Sequence, residues 1–182
     1  MSITRIILIV LIFAVCSVFS SYGQGVLEIG DDSEVAGDTN LLIDAQVLEN
    51  GKPMANIIVL VIHKGVVIRE AETEKNGFFQ LKIGFDTLVT LKFSKDDYLT
   101  KLIEIDTRNM PKEDRFRGYD AGLFKLNMIK FNDEIPIALY KKPIAKFVYD
   151  PAAVNFVMDR KYKKEVKNNF KKADVQSDII KF

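Results

Sequence analysis

Apolar and polar residues alternate with a period of two through the middle of this chain. Phe79, Leu81 and Ile83 alternate with Gln80 and Lys82, Val89, Leu91 and Phe93 with Thr90 and Lys92, and Ile103 and Ile105 flank Glu104. Successive side chains of a strand point to opposite faces, so this spacing predicts strands with one dry and one wet face. Residues 41–48 and 66–73 extend the series, and residues 57–62, apolar throughout, read as a central strand covered on both sides. Turn-forming groups separate the runs: Asn50-Gly51-Lys52-Pro53, His63-Lys64-Gly65, Lys75-Asn76-Gly77 and Ser94-Lys95-Asp96-Asp97-Tyr98. Parallel crossovers need a dozen or more residues, and connections this short leave no room for them, so an antiparallel sandwich is expected.

Further along, residues 107–122 read as a polar, arginine-rich loop, and residues 123–131 and 144–149 as two more strands. The period then changes. Tyr162, Val166 and Phe170 recur at i, i+4 and i+8, one stripe of a helix, and Asp159 stands where an N-cap would satisfy the first free amides. The spacing predicts a helix over Arg160–Lys172, with the last ten residues frayed. The fold class is therefore mainly β: a seven- to eight-stranded antiparallel sandwich with a short C-terminal helix.

The N-terminus reads as a targeting segment. Arg5 precedes an unbroken apolar stretch at 6–15, and Ser21-Tyr22-Gly23 offers small residues for cleavage after Gly23. Even counted from 6 to 19 the apolar stretch falls short of the ~20 residues that span a bilayer, so a cleaved signal peptide is expected and no transmembrane span after it. Cys16, the only cysteine, lies in this segment; Val15 before it is too bulky for a good lipid-attachment motif. Cleavage would leave no cysteine for a disulfide, a thiolate nucleophile or a zinc site. The organisation expected is a signal peptide (1–23), an acidic leader (24–40), the sandwich (41–131) and a C-terminal extension of strand plus basic helix (132–182). The leader's Asp31, Asp32, Glu34 and Asp38 do not have the spacing of an EF-hand loop.

Three segments carry a likeness beyond their pattern. Gly51-Lys52-Pro53-Met54-Ala55-Asn56, Lys75-Asn76-Gly77-Phe78-Phe79 and Phe93-Ser94-Lys95-Asp96-Asp97-Tyr98-Leu99-Thr100 resemble the carboxypeptidase regulatory-like domain, a transthyretin-like sandwich also found in Bacteroidota cell-envelope proteins. The resemblance covers roughly residues 40–106 and departs from the family at Asp97, where glycine is usual. Aspartate tolerates left-handed backbone better than most residues. The resemblance implies a non-catalytic domain with no active-site residues; the targeting segment sets the expected location, periplasmic or secreted, with outer-membrane association as a further option.

Charge and chemistry narrow this little. The net charge is +1, which gives no reason to expect nucleic acid, but residues 141–182 hold eleven Lys and Arg against five Asp and Glu. Most of that excess lies on the predicted helix, where Lys163, Lys164 and Lys167 could meet an anionic surface. His63 is the only histidine, and no nucleophile elbow, zinc-protease motif or phosphate-binding glycine loop is present. The loop carrying Arg108, Arg115, Arg117 and Tyr119 mixes cations with aromatics, as a binding loop on a rigid sandwich does. The function expected is an exported, non-catalytic protein-interaction or accessory module of the bacterial cell envelope, without cofactor or metal, its partner another envelope protein. The alternative is a module binding glycan or anionic polymer through the arginine loop or the helix. A carboxylate-dependent hydrolase comes third.

Overall fold

The computed structural model describes residues 27–29, 40–132 and 136–173. The targeting segment, Cys16, most of the acidic leader and the frayed C-terminus expected above lie outside them.

Two sheets pack face to face. In the first, β2 (Asn40–Glu49) lies between β6 (Phe78–Gly84) and β9 (Tyr119–Asn127), with β1 (Leu27–Ile29) beyond β6 and the two-residue β3 (Lys52–Pro53) at the end of β2. The second sheet runs in the order β11 (Asn155–Met158), β10 (Ala145–Asp150), β8 (Lys101–Asp106), β7 (Leu88–Ser94), β4 (Ile58–His63) and β5 (Val66–Glu72). Helix α1 (Arg160–Lys172) follows β11, and a 3-10 turn, Ile137–Lys141, precedes β10.

The period-two pattern sets which face is dry. Ile43, Val47, Leu81 and Phe124 of the first sheet and Val61, Leu91, Ile103 and Phe147 of the second are buried in one core. Phe79 meets Phe93 edge to face at 6.1 Å between centroids, and Phe124 meets Phe147 at 5.4 Å, each pair bridging the sheets. Each such side chain, fully buried, contributes about 1.5–3 kcal/mol. One inward position breaks the pattern: Lys101, opposite Phe93, is 1% exposed, and its ammonium donates to the Asn127 carbonyl.

The mainly β class, the two layers and the helix agree with the pattern; the strand pairing differs. Among the described residues the sheets hold five and six strands, and they are mixed: β1–β6, β2–β9 and β8–β10 are parallel. The reason lies in the long connections. The chain leaves β8 in one sheet, reaches β9 in the other, and returns to β10 beside β8, so parallel neighbours arise without helical crossovers inside a sheet. The seventh strand also begins earlier than the pattern suggests, at Tyr119, and an additional strand, β11, pairs with β10.

The outer side of the second sheet is covered unevenly. Helix α1 lies over β10, with the Tyr162 hydroxyl donating to the Pro143 carbonyl (2.6 Å) and Phe170 edge-on to Tyr140 of the 3-10 turn at 5.1 Å. Lys146 sits beneath it, bonded to Glu104 at 2.7 Å and 4.7 Å from the Tyr162 ring centre. Nothing comparable covers β4: Ile58 is 37% exposed, so the strand expected to be buried on both faces is open on one. The helix itself starts where the sequence places it. The Asp159 carboxylate accepts from the Lys161 and Tyr162 amides at 2.8 and 3.0 Å.

Candidate functional site

The arginine loop folds onto itself rather than opening into a site. Arg108 forms a two-pronged pair with Asp106, Nε to Oδ1 at 2.9 Å and Nη2 to Oδ2 at 2.8 Å, which holds the Asp106 carboxyl below the usual aspartate range. Arg115 donates through Nε and Nη2 to the Met110 carbonyl, at 3.2 and 2.9 Å. Arg117 stacks 4.8 Å from the Tyr119 ring centre. Tyr119 is buried, donates to the Asp114 carbonyl at 2.7 Å, and packs edge-on against Phe85, Tyr149 and Phe156. Tyr149 donates to the Asp114 carboxylate at 2.6 Å, which pushes its hydroxyl pKa well above the ordinary tyrosine value. These contacts knit the crossover between sheets, so Arg108, Arg115 and Tyr119 serve the fold. Of the helix lysines, Lys164 and Lys167 are exposed and Lys163 is half-buried; they stand apart from the arginine loop on their own element.

His63 is likewise structural, its Nδ1 lying 3.0 Å from the Leu88 carbonyl and 3.2 Å from the Thr87 hydroxyl. Among the described residues no group of three or more His, Cys, Asp and Glu side chains is placed to hold a metal ion.

The structure instead opens a groove at the end of the sandwich where β4 begins and β7 ends. It has a volume of about 750 Å³, within the range of ligand sites, and its lining includes Asn56, Ile58, Glu72, Tyr98 and Phe131 together with the carboxylates Asp96 and Asp97 and the amines Lys95 and Lys130. Its wall is built by two segments that meet only in the folded chain. After β7 the backbone turns at Asp97, φ 65°, and the Tyr98 amide donates to the Lys95 carbonyl at 3.2 Å. The turn then pairs with the chain beyond β9: Phe131 N donates to Asp97 O at 2.8 Å and Leu99 N to Ile129 O at 2.9 Å, flanking an antiparallel bridge between Tyr98 and Lys130. Asp97 thus takes a left-handed conformation, which its short polar side chain permits.

Two side chains are pinned. The Tyr98 hydroxyl donates to Glu49 at 2.7 Å, a bond that raises its pKa above the ordinary tyrosine value, and Lys95 Nζ donates to the Ala55 carbonyl at 2.9 Å. The Lys130 ammonium lies 6.0 Å from the Tyr98 ring centre. Phe131 is left 46% exposed beside half-buried Tyr98, so two aromatic rings line a groove whose other residues are Ile58, carboxylates, an amide and amines. The sequence carries one trace of this: aromatic residues stand directly after Asp96-Asp97 and directly before Asn132-Asp133-Glu134. Their meeting depends on tertiary pairing across some thirty residues and has no local signature.

Comparison with known proteins returns no matching family model and no matching curated protein. Among solved structures the chain is similar to 3-chlorocatechol 1,2-dioxygenase from Rhodococcus opacus 1CP, at 13% identity and TM-score 0.40, over 62% of this chain and 70% of that one. It is similar to catechol 1,2-dioxygenase from Acinetobacter sp. ADP1 at 16% identity and TM-score 0.39, over 60% of each chain. Hydroxyquinol 1,2-dioxygenase from Pseudomonas putida DLL-E4 matches at 9% identity and TM-score 0.38, over 63% of this chain and 65% of that one. This chain therefore spans less than two thirds of the second and third of these proteins.

These findings correct the resemblance read from the turn motifs. No family model matches, and the solved structures named above are 1,2-dioxygenases rather than carboxypeptidase regulatory-like domains. The physical reason is that Gly-Lys-Pro, Asn-Gly-Phe-Phe and Asp-Asp-Tyr record what tight turns demand of a backbone, and unrelated sandwiches share those demands. The implications fall with the resemblance: a non-catalytic domain, and an accessory role in a bacterial cell envelope. The likeness to the dioxygenases, at these identities and scores, assigns this chain neither a reaction nor a substrate.

Proposed function

We propose that the groove between Tyr98 and Phe131 binds a saccharide. The observation that carries this reading is the pair of aromatic rings on an open groove whose other lining residues, Ile58 apart, are hydrogen-bonding groups. One face of a pyranose presents C–H groups of slight positive charge, which suit the negative face of an aromatic ring. Its hydroxyls both donate and accept, and the groove supplies acceptors in Glu72, Asp96 and Asp97 and donors in Asn56 and Lys130. The mixed signs support a neutral ligand, because three carboxylates and two amines leave no strong field of either sign for a polyanion or polycation.

The test is titration with cello-, xylo- and chito-oligosaccharides by calorimetry, with chromatography of each sugar after incubation to read any cleavage by the groove carboxylates. Phe131→Ala removes a half-exposed ring and should weaken binding about 3- to 10-fold, from ~0.5–1.5 kcal/mol per aromatic contact. Tyr98→Phe keeps the ring and should leave affinity within about twofold, since ring stacking carries the contact. Binding that is indifferent to Phe131→Ala, or absent for all three sugar series, would sink the reading.

A further inference from the structure

Helix α1 shows two opposed faces. Tyr162, Val166 and Phe170 lie against the sandwich, while Arg160, Lys161, Lys164, Lys167, Lys171 and Lys172 are exposed with a single acid, Glu165, among them. Six exposed cations against one exposed acid leave this face net positive. Glu104 is tied to Lys146 at 2.7 Å, and the Asp159 carboxylate is occupied by the Lys161 and Tyr162 amides. Beside the basic face is a second cleft, of about 340 Å³, lined by apolar Ala121, Phe147, Val157 and Met158 and by Arg160 and Lys163 among others. Asn155, also on this cleft, donates its amide to the Asp120 carbonyl at 3.0 Å and so faces the β9 side.

We propose that this face binds anionic lipid at a bilayer surface, with the α1 cations on the headgroup phosphates and the cleft taking the methylenes next to a headgroup. The juxtaposition of exposed cations with an apolar cleft selects the ligand class. A nucleic acid backbone offers phosphate but no alkyl chain to place there. The helix cannot act as a membrane-buried amphipathic helix, because Val166 and Phe170, 8% and 4% exposed, are already docked on the protein. Contact is therefore peripheral, charge-driven and sensitive to salt, the mode of juxtamembrane polybasic segments.

The experiment uses the full chain with phosphatidylcholine vesicles, with and without phosphatidylglycerol, in a co-sedimentation assay. The apolar stretch at 6–15 follows Arg5, which also favours anionic lipid, so the readout is the gain from phosphatidylglycerol in the native chain set against the same gain in the charge-reversed variant. Phosphatidylglycerol should strengthen binding, and raising salt to about 0.5 M should remove the gain by screening. The Lys164→Glu, Lys167→Glu, Lys171→Glu triple variant, whose side chains are all exposed, should keep the wild-type unfolding midpoint and lose about a hundredfold or more in affinity for the anionic vesicles. Dodecyl phosphate below its micelle concentration should shift the amide resonances of Ala121 and Val157, and inorganic phosphate at the same concentration should not. Undiminished vesicle binding by the charge-reversed protein overturns the proposal, as do shifts reproduced by inorganic phosphate. Full displacement of the protein from vesicles by duplex DNA at equal phosphate would show that phosphate alone is recognised, and would overturn it too.

Discussion

Gly77 is the residue on which the first sheet closes, and Gly77→Ala is the sharpest test of how the sandwich is built. The glycine has φ +73°, its amide donates to the Glu74 carbonyl at 2.8 Å, and its carbonyl accepts from Val47 N at 2.8 Å. A Cβ added there would lie 2.3 Å from the Val47 carbonyl oxygen, 3.0 Å from the Met54 amide nitrogen and 3.3 Å from the Val47 carbonyl carbon. All three are backbone atoms, so no side chain can swing aside. Left-handed backbone at a non-glycine residue costs about 1–2 kcal/mol. Relieving the clash means moving Val47, which also accepts the Met54 amide at 2.9 Å; loosening two such bonds adds about 1 kcal/mol each.

The expected loss is therefore about 3–4 kcal/mol, or a fall in Tm of roughly 10 °C for a domain of this size. Urea unfolding followed by circular dichroism measures it, and Gly51→Ala provides the control. Gly51 has φ +80° but nothing within 4 Å of its would-be Cβ, so only the backbone term applies, about 1–2 kcal/mol. If the two variants differ by less than about 0.5 kcal/mol, the close approach of Gly77 to β2 is not a determinant of the fold and the reasoning fails.

Two further outcomes are expected. Phe170→Ala empties the contact with Tyr140 that docks α1, and should cost about 3–4 kcal/mol; hydrogen exchange should quicken over Arg160–Lys172 while β4 and β7 stay protected, whereas uniform quickening would mean the helix is not a separable layer. The Arg108 pair lowers the Asp106 pKa in the folded chain, so its stabilisation is present above the unfolded value of about 3.9 and is lost as pH falls through the folded value. Acid titration of the unfolding midpoint should then show a smaller drop below about pH 4 in Arg108→Ala, a modest difference because solvent around Arg108 screens the pair; equal acid profiles would refute the linkage.

Particular elements show how far the chain's pattern reaches. Helix α1 was readable to its cap, because a 3.6-residue stripe and an N-capping aspartate are both local signals. The strands of the meander were readable to within a few residues for the same reason. The parallel pairs were not, because which sheet a long connection enters depends on packing rather than composition. Lys101 was invisible for a different reason. A lysine in an alternating run reads as its wet face, yet this one lies on the dry face, where the Asn127 carbonyl accepts from its ammonium and makes burial tolerable.

The same distinction separates the surfaces that the sequence marks from those that the fold creates. Residue type singled out the arginine loop, but the loop's cations are spent on Asp106, the Met110 carbonyl and the Tyr119 ring, contacts that residue type cannot show. The groove has the opposite history. Tyr98 stands in a turn whose residues were legible only as turn chemistry, and Phe131 follows a strand with nothing to mark it. They become one surface because Phe131 N finds Asp97 O, and that bond requires the left-handed backbone at Asp97 to aim the carbonyl outward. A residue chosen to make a tight turn thus also fixes the second wall of the groove. Substituting Asp97 would therefore shift the Phe131 wall as well as remove a carboxylate from the groove lining.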